Sequence, residues 1–437
     1  MRTWLFAPVL LGLLSSQLPA QDNTELLNRM KAMEDRIKTL EAEVQSLKGQ
    51  PAPAASAQPL AAVATPMAPA LSILQEPNPV TLGGAGPAAS KALNPDISVI
   101  GNFVGAAGNG ANRKIPGLEM HESEVGFQEV IDPYARADFF ISFGEQGVSV
   151  EEGYLTFTAL PSSLQLKVGK MRAAFGRVNT LHNHVLPWVD RPLVNQNLVG
   201  GEDGIDDAGI SLSRILPAPK GIFLEGVAQV FRGDSTNVFR AATRSDVSAI
   251  GHLHAYADLS ESTNIDIGGS YARGHSPYAD GRNQLFGADL TLHWKPLRRA
   301  IYHSFVARTE LVWARTAVNT ATPGSSFLRT ALTKPFGYYV SGDYQFARRW
   351  FLGGRFDRSQ RGACLPTNPD TEPCTSLLPP TSLLQDTGGS LVLTYWPSEF
   401  SQIRGQLRRS SYGEGLTANE LIFQFMFSMG AHGAHPF

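Results

Sequence analysis

The last stretch of the chain, Glu420 to Phe437 (ELIFQFMFSMGAHGAHPF), limits the folds open to it more than any other. Leu421, Phe423, Phe425, Phe427 and Met429 fall on one side of a period-two pattern, with Ile422, Gln424, Met426 and Ser428 between them. That alternation makes a β-strand with one apolar face. Left at the edge of a soluble sheet, such a strand would template aggregation. Its natural place is therefore a closed sheet whose apolar face meets lipid.

Composition agrees. Only 17% of the 437 residues are charged, against roughly 25% in soluble proteins. Yet no apolar run beyond the N-terminus reaches the ~18 residues of a helical membrane span. Forty-two glycines and 23 phenylalanines suit a β-rich chain whose apolar residues are scattered by alternation. The net charge of −2 and the lack of a basic run give no sign of nucleic acid as a partner. The two cysteines, Cys364 and Cys374, bracket a polar, proline-rich stretch, which predicts a disulfide-closed loop in an oxidising compartment.

Four regions are expected. Residues 1–20 have the pattern of a secretory signal: Arg2, an apolar core from Trp4 to Leu14, then Leu18-Pro19-Ala20. Residues 21–49 carry Leu26, Met30, Met33, Ile37, Leu40, Val44 and Leu47 at alternating spacings of four and three. This is the a/d seam of a parallel coiled coil. Arg29 with Glu34, Arg36 with Glu41 and Glu43 with Lys48 supply matching flanking charges. Residues 50–95 form a proline- and alanine-rich linker.

Residues 96–437 break into sixteen alternating segments of about ten residues, a length that crosses a bilayer when tilted. In Tyr134–Gly144, for example, Ala135, Ala137, Phe139, Ile141 and Phe143 oppose Arg136, Asp138 and Ser142. Short turns such as Asp132-Pro133 and Pro161-Ser162-Ser163 alternate with longer connections, the longest near 173–207. The expected fold is all-β: an antiparallel transmembrane barrel of about sixteen strands, preceded by a short parallel coiled coil.

Leu164–Asn179, LQLKVGKMRAAFGRVN, resembles the phosphate-selective porin O/P family through Val168-Gly169-Lys170 and Phe175-Gly176. The aromatic C-terminus, Phe437, also resembles the closing strand of outer-membrane barrels, where it serves as an assembly signal. The resemblance implies an outer-membrane porin, trimeric through residues 26–47 and its barrel walls, with the N-terminal segment in the periplasm. It also implies a third loop folded into the pore, lining lysines and arginines that pass anions such as phosphate, and insertion by the barrel assembly machinery. The predicted lumen residues are balanced in sign, however. Arg136, Lys167, Lys295, Arg308, Arg355, Arg404 and Arg408 face Asp138, Glu152, Glu225, Asp258, Asp289, Glu310 and Asp357.

The 173–207 connection is the candidate constriction. Lys170, Arg172, Arg177, His182, His184 and Arg191 make its start basic, while Glu202, Asp203, Asp206 and Asp207 make its end acidic. Opposed across a narrow opening, they would set up a transverse field that selects ions. His182 and His184, like His252 and His254, are spaced to share a face, but the sequence places no third ligand beside either pair, so no metal or cofactor is expected. No nucleophile elbow or metalloprotease motif occurs. The chain is expected to be a passive channel for small ions and polar solutes, not an enzyme. An outer-membrane tether or adhesin-like barrel is the alternative, and an outer-membrane hydrolase a more distant one.

Overall fold

The computed structural model describes residues 31, 38–39 and 95–430, apart from 110–114, 146, 236, 322–327 and 364–380. The signal sequence, all seven residues of the heptad seam, the linker up to residue 94, Cys364, Cys374 and Phe437 lie outside the described residues.

Seventeen strand segments make one antiparallel sheet. The first five are β1 (Asp96–Gly108), β2 (Glu119–Asp132), β3 (Ala135–Gly144), β4 (Gly147–Leu160) and β5 (Leu164–Arg172). After the longest connection come β6 (Asp206–Ile215), β7 (Ile222–Phe231), β8 (Ser248–Ser260), β9 (Thr263–His275) and β10 (Arg282–Trp294). The last are β11 (Ser304–Ala321), β12 (Leu328–Thr333), β13 (Phe336–Ala347), β14 (Trp350–Gly362), β15 (Leu383–Ser398), β16 (Ser401–Ser411) and β17 (Thr417–Gly430).

Apart from β12 and β13, each strand pairs with its sequence neighbour, and β1 pairs with β17 as well as β2, from Ser98 opposite Gly430 to Gly108 opposite Glu420. The sheet is closed. Its strand count is sixteen, because β12 and β13 are two pieces of one strand, both paired with β11. Lys334-Pro335 separates them. Proline has no N–H to give the ladder, although the Pro335 carbonyl still accepts from Ala314 N at 2.9 Å. Beyond that break β11 and β12 continue as a hairpin, Thr316 opposite Thr333 to Ala321 opposite Leu328.

Alternation decides which side chains face outward. Along β17, Leu421, Phe423, Phe425 and Met429 are exposed on the outer wall, whereas Ile422, Gln424 and Met426 are buried inside. The same inversion runs round the barrel: Phe139, Val340, Leu391 and Ile403 are exposed, while Asp138, Ser341, Arg404 and Glu310 are buried. Near the short turns the outer wall carries Tyr134, Tyr302, Tyr344, Phe346, Trp350 and Phe400, and Trp350 stacks on Tyr395 at 4.5 Å. Trp313, Phe336, Tyr338 and Phe356 form aromatic contacts toward the other rim. On β13 the two groups are eight residues apart, about 27 Å along the strand, which fits two aromatic belts flanking an apolar band.

Leu391 sits midway along β15 on this band. Leu391→Arg should lower the stability of the protein folded in liposomes by roughly 2–4 kcal/mol, and Leu383→Arg at the strand's start by roughly 0–1. Denaturant unfolding followed by tryptophan emission measures both; equal effects would place the band elsewhere.

Candidate functional site

The connection between β5 and β6, residues 173–205, is the third on the long-loop side, and it lies inside the barrel. It is called L3 below, and it contains two 3-10 turns, Val178–Thr180 and Asn183–Val185, and one short α-helix, α1 (Leu193–Leu198). Its neck is tied by Asn179. The Asn179 amide nitrogen donates to the carbonyls of Ala173 (2.9 Å) and Ile205 (3.1 Å), and its Oδ1 accepts Ile205 N at 2.8 Å. Gly176 turns the chain inward with φ +59°, and a Cβ there would run into the Glu310 carboxylate. Phe175 beside it is completely buried.

From the neck, L3 bonds to strands all round the wall. Ala174 N donates to Gln229 on β7 (2.7 Å), Gly176 N to Ser270 on β9 (2.9 Å) and Val178 N to Glu310 on β11 (3.2 Å). Val189 N donates to Gln406 on β16 (2.8 Å) and Leu193 N to Asp357 on β14 (3.1 Å). His182 is hydrogen-bonded to Glu124, and Asn183 to Glu122, both on β2. The turn of L3 centres on Asp190. Its carboxylate meets Arg355 at 3.0 Å and Arg408 at 2.8 Å, and its Oδ1 accepts from Gln406 at 2.5 Å. Arg355 and Arg408 are also held by Asp357 (2.7 Å) and Glu420 (2.6 Å).

Apolar contacts add to this. Phe175, Val178, Leu186, Trp188, Val194 and Ile205 of L3 pack against Phe231, Ile250, Leu285, Val312, Tyr339 and Val392 of the wall. Those wall residues face inward, so the lumen surface turns apolar where the loop covers it. Trp188 lies edge-on to Tyr339 (5.2 Å) and under the Arg355 guanidinium (4.8 Å).

The candidate residues fall into different places. Arg136 pairs with Asp138 at 2.7 Å, Lys167 lies over the Tyr154 ring at 4.6 Å, and Arg308 pairs with Asp343 at 2.5 Å. Lys170 shares the parity of exposed Val168 and pairs with Asp206 at 2.8 Å. Arg191 is buried, donating to Asn183 Oδ1 (2.7 Å) and to the Val178 and Leu181 carbonyls (3.1 and 2.6 Å), so it holds the loop's own shape. Arg177 lies 3.8 Å from Asp266.

The two ends of L3 do not oppose each other across the lumen, as expected from their charges. They lie side by side, because β5 and β6 are adjacent strands. Arg172 is paired in register with Asp206 and donates to the Asp203 carbonyl at 2.8 Å. Asp207 accepts from Gly233 N and Asp234 N, both at 2.8 Å. The charge asymmetry runs along the barrel axis instead. On the long-loop side of L3 a cleft is lined by Glu119, Glu122, Glu145, Glu202 and Asp203. On the short-turn side a cavity of about 140 Å³ is lined by Arg177, His293, Arg308 and Arg404, with Asp343 as its acid. Arg404 is buried there on neutral partners, Thr394 (3.2 Å) and Gln424 (2.8 Å).

No protein-family model matches the chain. A relative from Aquifex aeolicus (strain VF5), described as an uncharacterized protein, is 29% identical over 406 residues, covering 80% of this chain and 81% of its own. Among solved structures, OprB of Pseudomonas putida matches with a TM-score of 0.51 at 9% identity, over 78% of this chain and 95% of that one. The outer membrane channel DcaP of Acinetobacter baumannii matches at 0.50 and 13%, over 80% and 100%. Salmonella typhi OmpF matches at 0.50 and 8%, over 78% and 99%. The fold is shared with an outer-membrane channel.

Two groups of L3 titrate far from their usual ranges. Burial disfavours the charged imidazole of His182, but Glu124 and Glu152 outweigh it and push the pKa up to about 10. Burial also disfavours the Asp190 carboxylate, yet Arg355 and Arg408 hold it well below the carboxylate range. A depressed carboxylate stabilises docking fully above its ordinary value of 3.8, and that contribution is lost as pH falls from there through the folded value. Trp188 emission should therefore report a docked loop down to about pH 4 and a loosening below it. Asp190→Asn should weaken docking by on the order of 3 kcal/mol, because it leaves two buried guanidinium groups short of charge. An unchanged acid transition in that variant would remove Asp190 from this role.

Proposed function

We propose that the chain forms a passive channel across the bacterial outer membrane for small ions and polar solutes. The observation that carries this is L3, hydrogen-bonded around the inner wall of a closed barrel whose outer wall is apolar. A purely structural barrel has no need of a loop held so firmly at mid-height, whereas a channel uses one to set its narrowest cross-section. The short turns face the periplasm, where a signal sequence at 1–20 and a linker at 50–95 would place the coiled coil of 21–49. The heptads at 26–47 support a homotrimer, and Phe437 supports insertion by the barrel assembly machinery.

Selectivity follows from the axial field. The acidic outer cleft gathers cations, while Arg177, Arg308 and Arg404 hold anions in the inner vestibule. Charged rings of this kind bias permeation without closing it. A modest anion preference, in line with the resemblance to phosphate-selective porins, rests on Arg404, whose hydrogen bonds go to the neutral Thr394 and Gln424.

Reconstituted protein should insert into planar bilayers in conductance steps. Its reversal potential in a KCl gradient should favour chloride, and Arg308→Ala with Arg404→Ala should reduce that preference severalfold. Deletion of 21–95 should leave single-channel conductance in place while abolishing cross-linked trimers. A folded protein that never conducts would reject the channel; cation preference, unaltered by the arginine changes, would reject the selectivity assignment.

A further inference from the structure

A second cluster lies where L3 meets β2 and β4, and it departs from the regular alternation of the barrel. On β4, Glu152 is opposite Phe140 and Val150 opposite Ile141, so Glu151 is an extra residue. On β2, three steps from Glu124 to His121 match two steps from Ile100 to Asn102 on β1. Bulges re-aim side chains and recur beside functional sites. Here they turn consecutive Glu151 and Glu152 inward together, 7% and 8% exposed, beside Glu124 at 3%. His182 and His184 of L3 complete the group, with their rings 5.6 Å apart.

We infer that Glu124, His182 and His184 form a binding site for a divalent transition-metal cation, Zn2+ by ligand type. One donor atom from each lies within 4.8 Å of the others. Ligand atoms around a tetrahedral Zn2+ with bonds of ~2.0–2.1 Å are about 3.3 Å apart. The present distances bracket that value: His182 and Glu124 are at hydrogen-bond range, and His184 Nδ1 is 3.8 Å from Glu124 Oε2. Coordination replaces the hydrogen shared by His182 and Glu124, and that proton leaves to solvent.

A further carboxylate stands beside His182. Glu151 Oε2 lies 3.5 Å from His182 Nδ1. Glu151 is held by Arg172 at 2.7 Å and lies outside the three-residue group, so water takes the fourth position. Glu122 stands beside Glu151, and Glu152 lies 3.7 Å from His182 Nε2, so four carboxylates converge here with Arg172. Two imidazoles among oxygens favour Zn2+ over Mg2+ or Ca2+, which are bound through oxygen alone. The site fastens L3 to the wall, and it does so whether or not the barrel conducts.

The test uses the full chain folded in detergent, with His432 and His435 changed to Ala and metal removed by chelator. Calorimetric titration with Zn2+ should give one equivalent per chain. Co2+ should develop visible d–d bands that Zn2+ abolishes and Ca2+ leaves in place. His184→Ala and, separately, Glu124→Gln should weaken Zn2+ at least about 100-fold, beyond the 10–100-fold typical of losing an outer-shell partner. Heat-modifiable gel mobility checks that each variant is folded. If folded protein takes up no Zn2+, or if uptake is unchanged in both variants, the site does not exist. Should both variants fail to fold, the Co2+ spectrum of the parent decides alone, and bands without nitrogen ligation overturn the assignment.

Discussion

Pairing of β1 with β17 is the constraint on which the rest of the molecule depends. Once those strands meet, no backbone edge remains, and the outer face can be apolar without exposing a single unpaired ladder to lipid. The same closure gathers every inward-facing side chain into one enclosed space. Asp138, Asp289, Glu310, Arg355, Asp357, Arg404 and Arg408 are buried there, and each must find water or a partner. L3 supplies several of those partners, with Val178 N for Glu310, Leu193 N for Asp357, and Asp190 for Arg355 and Arg408. The polar wall and the loop satisfy each other.

Hydrogen bonding alone would leave L3 competing with water for the same groups. Its apolar residues tip the balance. Trp188 and Phe175 are fully buried against inward-facing Tyr339, Leu285 and Val312. Removing such side chains from water contributes roughly 1.5–3 kcal/mol each. The Asp190 cluster serves orientation more than net stability, since the desolvation of buried ion pairs offsets much of their attraction. Apolar packing holds the loop in, and the charged pairs fix where its turn sits.

The barrel was legible in the sequence because alternation is a local signal. Each of the sixteen expected segments corresponds to a strand, and the parity of Leu421, Phe423 and Phe425 fixes the outer face of β17. The loop was legible only by length and charge. Its partners were not, since Asp190 meets Arg355 and Arg408 across separations of more than 160 residues. Wall residues such as Ile250 and Leu285 face inward against the polar rule, and nothing local marks them. The bulges at Glu151 and on β2 are invisible to period-two counting, because they are the places where the period fails. The three-residue group of Glu124, His182 and His184 was out of reach for the same reason, as its acid lies 58 residues from the first histidine.

The spread of L3's partners also dictates an order of events. The loop is made between β5 and β6, but its turn is held by β14, β16 and, through Arg408, β17. The turn of the loop cannot complete its contacts until those strands are in place. Full docking of the turn therefore requires the closed ring. A ring still open at its seam would also be a ring without its docked loop.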